Sequence, residues 1–468
     1  MNDKKTVSFG MALAIIFLPI LVILLGGLVL RVGFLVPLML ATITASLLSI
    51  MAGFTWKEVE ACIVNGVHRI IIVTCILFLV GTLIGVWIQA GVIPLFLYWG
   101  LKLLSPSMFL VSTVLICAVF SLMTGTSFGT IGTAGLALLG VGEALGFPTG
   151  LTAGAIVSGA YFGDKMSPVS DSTNITASVC EVPLFDHILS MLWTTVPAFV
   201  AAGIVYTVLG FSFAQEQTAS LESLNAILSG LEGHFSLDFV AFIPPILMIA
   251  LAYKRFPVLP VMVACLLSAV AIAVYEGVAF NDLAKMMTSG YVSKTGIKQL
   301  DPLLSRGGLL SIMPTVLLLC SGMAFGGILE RSRVLEVLLD AVLKGARSAV
   351  RLVASVLAAA YIINLGTGSQ MLAVIVPGRA FLDSFKKADI SPLVLSRTCE
   401  DAGTIGCPLV PWSVHAFYIA GVLGVSAFDF APYAFLNWFV PIFSILCALT
   451  GFGIWRLNGT PVHGSRKA

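Results

Sequence analysis

Runs of about 20 apolar residues recur along this 468-residue chain, and they constrain its fold more than any other feature. A helix of that length crosses the hydrocarbon core of a bilayer. Apolar residues make up 58% of the chain and charged residues 10%, whereas soluble domains carry about 25% charged residues. The first run, Phe9 to Leu30, is too long for a signal peptide and lacks a clear cleavage site. The sequence therefore predicts an all-α polytopic membrane protein.

We predict about 10 to 14 membrane spans, with boundaries known to a few residues. Either 126–146 or 366–385 is a candidate re-entrant hairpin, so the predicted number of spans is a range. The candidate spans are 8–30, 33–53, 69–90, 107–123, 126–146, 149–180, 187–211, 237–253, 257–277, 309–330, 350–365, 366–385, 391–426 and 432–455.

Two of these spans contain polar or turn-forming interruptions. The segment from Gly163 to Asn174 carries two carboxylates, one ammonium and several hydroxyls, and the segment from Gly403 to Pro408 has the same Gly-to-Pro spacing. Lipid offers no hydrogen bonds, so a broken helix at membrane depth survives where it lines a cavity. Charges at that depth indicate an ion or proton pathway. The two interruptions, predicted at 163–174 and 403–411, are therefore typical of a transporter.

The two halves of the chain share a pattern of glycines, prolines and threonines. Gly125 and Thr126 recur 241 residues later as Gly366 and Thr367, and Gly163 recurs 240 residues later as Gly403. This order predicts two repeats at 1–214 and 237–457, a polar external connection at 215–236 and a tail at 458–468. Broken helices in inverted repeats are a common design of secondary transporters.

The positive-inside rule predicts the orientation. Lys4 and Lys5 place the N-terminus in the cytoplasm, and Arg456, Arg466 and Lys467 place the C-terminus there too. Each half then has an odd number of crossings, so the repeats are inverted. The cations of 331–351 agree with this orientation. Those of the external insertion at 291–308 do not.

The first interruption supplies ligands for a hard cation such as Na⁺, which prefers carboxylate, hydroxyl and carbonyl oxygens. One aspartate can bind either H⁺ or Na⁺, and this exclusion is the simplest exchange mechanism. Lys165 is a candidate internal countercharge, although Asp164 and Lys165 paired at a water-facing helix end remain an alternative. The candidate ion- and proton-binding residues are Asp164, Asp171, Ser170, Ser172, Thr173, Asn174 and Lys165, with Na⁺ at Asp171 and Asp164.

The second interruption and two Gly-Thr turns supply further candidates. Arg397 lies one helical turn before Glu400 and Asp401, which predicts an internal ion pair; a proton relay is the alternative. The two turns have two interpretations. Their small residues and hydroxyls either pack helices together or line the crevice. The crevice candidates are Thr126, Ser127, Thr367, Ser369, Arg397, Glu400, Asp401, Thr404, Ser413 and His415.

At these residues the chain resembles a known family. The segments Gly125-Thr126-Ser127 and Gly163 to Asn174, together with Gly366 to Ser369, closely resemble the NhaC family of Na⁺/H⁺ antiporters. The resemblance implies Na⁺ extrusion driven by protons in the bacterial inner membrane. It also implies membership of a superfamily built on inverted repeats. The same family includes exchangers of malate for lactate.

The main hypothesis is therefore Na⁺/H⁺ antiport by alternating access, in which the two halves rock about the broken helices. The alternative is exchange of a small organic acid coupled to Na⁺ or H⁺, with helix starts, Arg379, Arg397 or His415 as substrate contacts. An enzyme or a channel fits less well, because no nucleophile with a base, metal cluster or subunit-repeated filter is evident. We expect Na⁺, H⁺ and the bilayer as partners, no nucleic acid and no cofactor; a homodimer is left open.

Overall fold

The computed structural model describes residues 8–30, 32–216, 221–254, 256–298, 300–331 and 348–462. Within these ranges every regular element is a helix, apart from one isolated bridge between Trp455 and Pro461. The all-α prediction is therefore confirmed. Lys4, Lys5, Arg466, Lys467 and most cations of the 331–351 loop lie outside the described residues.

The first half and the connection that follows it contain twelve described helices. They are α1 (Phe9–Leu24), α2 (Leu35–Met51), α3 (Trp56–His68), α4 (Ile71–Gln89), α5 (Val92–Leu103), α6 (Phe109–Thr124), α7 (Ser127–Thr130), α8 (Leu136–Ala144), α9 (Thr149–Met166), α10 (Asp171–Val179), α11 (Leu184–Glu216) and α12 (Leu221–His234). A π-helical turn, Ile131–Gly135, joins α7 to α8.

The described part of the second half contains eleven helices. They are α13 (Ile243–Tyr253), α14 (Val258–Tyr275), α15 (Phe280–Ser289), α16 (Leu300–Leu304), α17 (Leu309–Arg331), α18 (Ala349–Thr367), α19 (Gln370–Lys387), α20 (Pro392–Gly406), α21 (Val414–Leu423), α22 (Ala427–Phe430) and α23 (Phe435–Thr450). The polar connection predicted at 215–236 thus contains a helix, α12.

Seven helices of the described chain are long and apolar enough to cross a membrane, and ten segments qualify if each of three bent pairs is one span. One bent pair is α20 with α21, at an angle of 46°. The count meets the predicted range at its lower end. It omits α9, because the buried charges of Asp164 and Lys165 lower its apolar character, and α2, which has 17 residues.

The outer faces of the spans are apolar, as lipid contact requires. Phe17 is 61% exposed and Leu47 57% exposed, and many other large apolar side chains face outward. The interior contains hydrogen-bonded hydroxyls and buried charges, including Lys165, Arg397, Glu400 and Asp401. This distribution is that of a helical membrane protein, in which the polar side chains face the bundle interior.

Both helix breaks are shorter than predicted. The first break covers Ser167–Ser170 and the second runs from Cys407 to Ser413, so Gly163 and Gly403 lie inside helices with ordinary backbone angles. Gly163 serves close packing instead: a Cβ there would lie 2.4 Å from the backbone nitrogen of Leu122 on α6. Gly163 is therefore a packing residue of α9 and not part of the first break.

The two turns that precede α7 and α19 have equivalent geometry. Gly125 ends α6 with φ of +69° and Gly368 ends α18 with φ of +63°, a conformation that glycine adopts without strain. The next residues, Thr126 and Ser369, then begin α7 and α19 as N-caps. The turns therefore correspond at an offset of 243 residues, two more than the sequence pattern indicates.

The insertion at 291–308 is tied to the first half. Gly308 donates a backbone hydrogen bond of 2.7 Å to the carbonyl of Gly81, and Arg306 forms an ion pair of 2.5 Å with Glu143 at the end of α8. Within the insertion, Asp301 accepts hydrogen bonds from Ser293 and Thr295. At least one of its cations is thus paired with an acid of α8.

Candidate functional site

A cavity of about 870 Å³ lies against the first helix break. Its polar wall contains Thr126, Ser127, Asp164, Asp171 and the hydroxyls between the two aspartates, and its apolar wall includes Ile72, Met248 and Met262. It extends to the loop at Phe256, which is half exposed. The first break thus lines a cavity, as the sequence predicts for a broken helix at membrane depth.

Asp164 is buried in the last turn of α9 and lines this cavity. Ser127 donates a hydrogen bond of 2.7 Å to its Oδ2, and Ser170 donates one of 2.6 Å to its Oδ1. The two serines come from α7 and from the first break. Each carboxylate oxygen therefore has one hydroxyl donor, and the close packing of α9 on α6 fixes its position.

Asp171 has a different environment, because it is exposed to the cavity at the first turn of α10. An acid in this position interacts favourably with the helix dipole. Its carboxylate has no hydrogen-bond partner in the described parts of the chain. The two aspartates that the sequence singles out thus line one cavity, one buried and one accessible.

The remaining polar residues of the break satisfy its backbone carbonyls. Asn174 donates its amide to the carbonyls of Pro168 and Ser170, at 2.9 and 2.8 Å. Thr173 donates to the carbonyl of Lys165 at 2.9 Å, and Ser172 lies 3.1 Å from the hydroxyl of Ser170. Thr173 does not line the cavity, so its position is that of a residue that holds the break together.

Lys165 points away from the cavity and is fully buried. Its ammonium group donates a hydrogen bond to Oδ1 of Asp401 on α20, which also accepts one of 2.9 Å from Thr194 on α11. This buried ion pair links α9 to α20, the two helices that precede the breaks. The alternative in which Asp164 and Lys165 pair at a water-facing helix end is wrong.

The ion pair predicted between Arg397 and its neighbours is also wrong. The Arg397 guanidinium is buried and donates to the carbonyl of Gly453 at 2.9 Å, and its centre lies 5.9 Å from the Trp455 ring. Asp401 pairs with Lys165 instead, and Glu400 contacts Thr176. Arg397 does not line the cavity.

The second break closes through hydrogen bonds of its own. Ser413 donates to the carbonyl of Cys407 at 2.7 Å and accepts from the backbone of Ala416 at 3.0 Å, which starts α21. Thr404 accepts a hydrogen bond of 3.2 Å from Gln370. Thr404 and Ser413 are both buried, and neither lines the cavity.

The turn residues divide between the two environments. Thr126 and Ser127 line the cavity, whereas Thr367 donates to the carbonyl of Ile363 and Ser369 caps α19. Packing is thus the observed environment of Thr367 and Ser369. The cavity-facing side chain at the second turn is the next residue along, Gln370.

His415 lines the cavity at the start of α21. Its Nδ1 is hydrogen-bonded to the hydroxyl of Tyr161, and its ring lies 4.7 Å from that of Phe128. The sequence did not single out Tyr161, Thr176, Thr194 or Gln370 for the site. Tyr161 precedes Asp164 by about one helical turn, which is the one local signal available for it.

Comparison with known proteins adds to this geometry. Residues 159–452 match the model of the Na⁺/H⁺ antiporter family. The chain belongs to this family. The match to the antiporter family includes both helix breaks and the turn at Gly368, but it begins after the turn at Gly125.

Individual relatives are similar over nearly the whole chain. The Na⁺/H⁺ antiporter NhaC of Alkalihalophilus pseudofirmus is 37% identical over 97% of this chain and 98% of its own length. The malate-2H⁺/Na⁺-lactate antiporter of Bacillus subtilis is 36% identical over 90% of each chain. The arginine/ornithine antiporter ArcD of Halobacterium salinarum is 32% identical over 97% of this chain and 94% of its own length. The relatives of this chain thus include proteins named for ions and proteins named for organic solutes.

Proposed function

We propose that this protein is a secondary active transporter that exchanges Na⁺ for H⁺ across the bacterial inner membrane, with both termini in the cytoplasm. The observation that carries the proposal is the buried Asp164 carboxylate, which lines the cavity and receives one hydroxyl hydrogen bond on each oxygen. Family membership supports the same activity. Because its relatives are named as antiporters, we infer that the chain is not an enzyme.

Exchange at Asp164 follows from the chemistry of its partners. Hydroxyl groups donate to a carboxylate and also offer lone pairs to a cation. When Na⁺ enters, Ser127 and Ser170 turn their lone pairs toward the ion beside Asp164, and a proton on the carboxyl is released. When H⁺ binds, the negative charge that holds Na⁺ is lost. One carboxylate thus binds the two ions alternately, which couples their movements.

The charge of the cavity wall favours a cation. Among the described lining residues, Asp164 and Asp171 are the acids, His415 is the one basic residue, and lysine and arginine are absent. Asp171 lies at the accessible surface of the cavity and attracts Na⁺ toward the buried Asp164. Clefts lined by one sign of charge concentrate the opposite ion.

A second candidate function is coupled exchange of a small organic or amino acid. The cavity volume of about 870 Å³ exceeds what a single ion needs, and it lies in the range of small-molecule sites. Two relatives are named for organic solutes. Arg397 faces away from the cavity, so the version of this hypothesis that uses Arg397 loses its support. A carboxylate substrate would need a bound cation or proton to offset the two aspartates.

The test uses purified protein in proteoliposomes with an internal pH dye. Na⁺ pulses are given with and without malate, lactate or arginine inside the vesicles. Na⁺-driven pH change without organic solute supports ion antiport, whereas a signal that requires one solute supports the second candidate.

Variants then locate the site. We expect Asp164→Asn to abolish exchange and Asp171→Asn to raise the Na⁺ concentration needed for half-maximal rate. Asp282→Asn is the matched control, since Asp282 is an exposed aspartate on α15 whose charge partner is Lys285. Exchange that survives in the Asp164→Asn, Asp171→Asn double variant would contradict this site.

A further inference from the structure

Glu400 is a buried acid that the exchange at Asp164 leaves without a role. It precedes Asp401 on α20 and is fully buried. Its Oε1 lies 2.6 Å from Oγ1 of Thr176 on α10, and its Oε2 has no hydrogen-bond partner in the described structure. The ammonium group of Lys165 is hydrogen-bonded to Asp401. A buried carboxyl without a paired cation is costly to ionise.

The hydrogen atoms around Thr176 indicate the protonation state of Glu400. Oγ1 of Thr176 also lies 2.7 Å from the carbonyl oxygen of Ser172, which can only accept. A threonine hydroxyl has one proton. If it is donated to Glu400, two oxygens 2.7 Å apart face each other without a hydrogen between them. If it is donated to Ser172, the contact with Glu400 requires a proton on Oε1.

The protonated carboxyl therefore gives both short contacts a hydrogen. In that arrangement Oε1 of Glu400 donates to Thr176, and Thr176 donates to Ser172. Asp164 differs, because both its oxygens receive hydroxyl donors and it lines the cavity. The same conformation thus holds one acid arranged as a carboxylate and another arranged as a carboxylic acid.

We propose that Glu400 is a second proton-carrying residue of the exchange, so that more than one H⁺ moves for each Na⁺. This inference rests on the Na⁺/H⁺ exchange proposed above. The charged groups nearest to Glu400 are Lys165 and Asp164 on α9, together with Asp401 on its own helix. Among them, the ammonium group of Lys165 is close enough to stabilise Glu400 when it ionises.

The proton step can be written from these contacts. Rotation of the Glu400 side chain separates it from Thr176 while α10 and α20 stay packed. The Oε1–H bond breaks, the proton passes to water on one side of the membrane, and the electron pair remains on the carboxylate near Lys165. On return, Glu400 takes up a proton from the other side, and Thr176 again accepts its hydrogen bond.

The test measures the number of protons exchanged for each Na⁺. Wild-type protein in proteoliposomes is held at zero membrane voltage with a tenfold Na⁺ gradient, and the pH gradient that stops net flux is found. At zero voltage, tenfold gradients of Na⁺ and of H⁺ are equal in free energy. The pH gradient that stops net flux is therefore about half a pH unit for two H⁺ per Na⁺ and about one pH unit for one H⁺ per Na⁺. We expect the wild type near the first value and Glu400→Gln near the second.

Glu400→Asp is the matched variant, because it keeps a titratable carboxyl on a shorter side chain. We expect it to retain the wild-type balance point at a reduced rate. Infrared difference spectra of the wild type should also contain a protonated-carboxyl band that Glu400→Gln lacks, and this readout requires no transport. A wild-type balance at one pH unit, an unchanged balance in Glu400→Gln, or an unchanged carboxyl band would overturn the inference. Each would leave exchange at Asp164 intact, whereas loss of exchange in the wild type would reject the proposed function itself.

Discussion

Replacing Asp401 with asparagine isolates the charge of the buried ion pair with Lys165. Both side chains are 0% exposed, so solvent does not screen the interaction. Removing one partner of a buried pair costs about 3 to 5 kcal/mol. One way to relieve the unpaired charge is for the lysine to lose its proton. For an ordinary lysine this costs about 4.6 kcal/mol at pH 7, so we expect Asp401→Asn to lower the free energy of unfolding by about 3 to 4.6 kcal/mol.

The same reasoning gives the loss a pH dependence. At pH 9, removing the proton from an ordinary lysine costs about 1.9 kcal/mol. That value becomes the upper limit of the stability loss in Asp401→Asn at this pH. In the variant the folded state binds one proton fewer than the unfolded state, so its stability rises with pH. The deficit relative to wild type should therefore shrink between pH 7 and pH 9. Chemical unfolding of the purified protein in mixed micelles, followed at both pH values, measures it.

Two controls separate charge from packing. The double variant Lys165→Met, Asp401→Asn removes both charges and should recover most of the loss, with no pH dependence from this pair. Glu181→Gln breaks the exposed pair between Lys386 and Glu181, at 2.8 Å, and should cost less than about 1 kcal/mol. A deficit in Asp401→Asn that stays constant from pH 7 to pH 9 would refute the argument.

Three further predictions follow from single contacts. Ser127→Ala and Ser170→Ala each remove one hydroxyl from Asp164, so each should raise the Na⁺ concentration for half-maximal exchange by roughly tenfold, as one hydrogen bond to a charged group is worth about 1.5 kcal/mol; unchanged Na⁺ dependence in the double variant would argue against Na⁺ beside Asp164. Gly163→Ala places a Cβ against α6 and should reduce the yield of folded protein, whereas Gly203→Ala, with no atom within 4 Å, should not; equal yields, measured by size-exclusion chromatography, would contradict the packing argument. Hydrogen bonds from Ser293 and Thr295 lower the pKa of Asp301 to about 2, so the insertion loses this stabilisation as the pH falls from about 4 toward 2; hydrogen exchange of the insertion should accelerate over that range in wild type and not in Asp301→Asn.

The features predicted correctly from the sequence are those that local chemistry determines. Pro168 lacks a backbone donor and disfavours helix at Ser167, which places the first break. Lipid requires helix elsewhere in the apolar runs. The helices α3 and α5 were missed as separate elements, because α3 carries polar residues and α5 has 12 residues. Length and hydropathy alone do not identify such helices.

The contacts that the sequence did not predict join distant positions. Lys165 and Asp401 are 236 residues apart, and Thr176 and Glu400 are 224 apart. The rule that places Arg397 against Asp401 holds for helix surfaces, where neighbours on the same helix are the nearest partners. α20 is buried on all sides, so its charged residues pair with other helices instead. No spacing within one helix contains that information.

These contacts also bear on which parts of the molecule move. Lys165 belongs to the first half and Asp401 to the second, so halves that rock against each other would separate a buried ion pair, at a cost of several kcal/mol. Thr176 and Thr194 add further first-half contacts to α20. The helices α9, α10, α11 and α20 therefore favour one moving unit built from both halves.

The apolar wall of the cavity belongs to a different set of helices. Ile72 of α4, Met248 of α13 and Met262 of α14 line the same cavity as the two aspartates. α4 packs on α14, and α17 packs on α2 and α3, so this wall also combines both halves. We expect motion between these two units to open and close the cavity while the buried ion pair stays intact. Alternating access by that division needs no break of the pair between Lys165 and Asp401, and it moves Asp164 relative to the apolar wall that shields it.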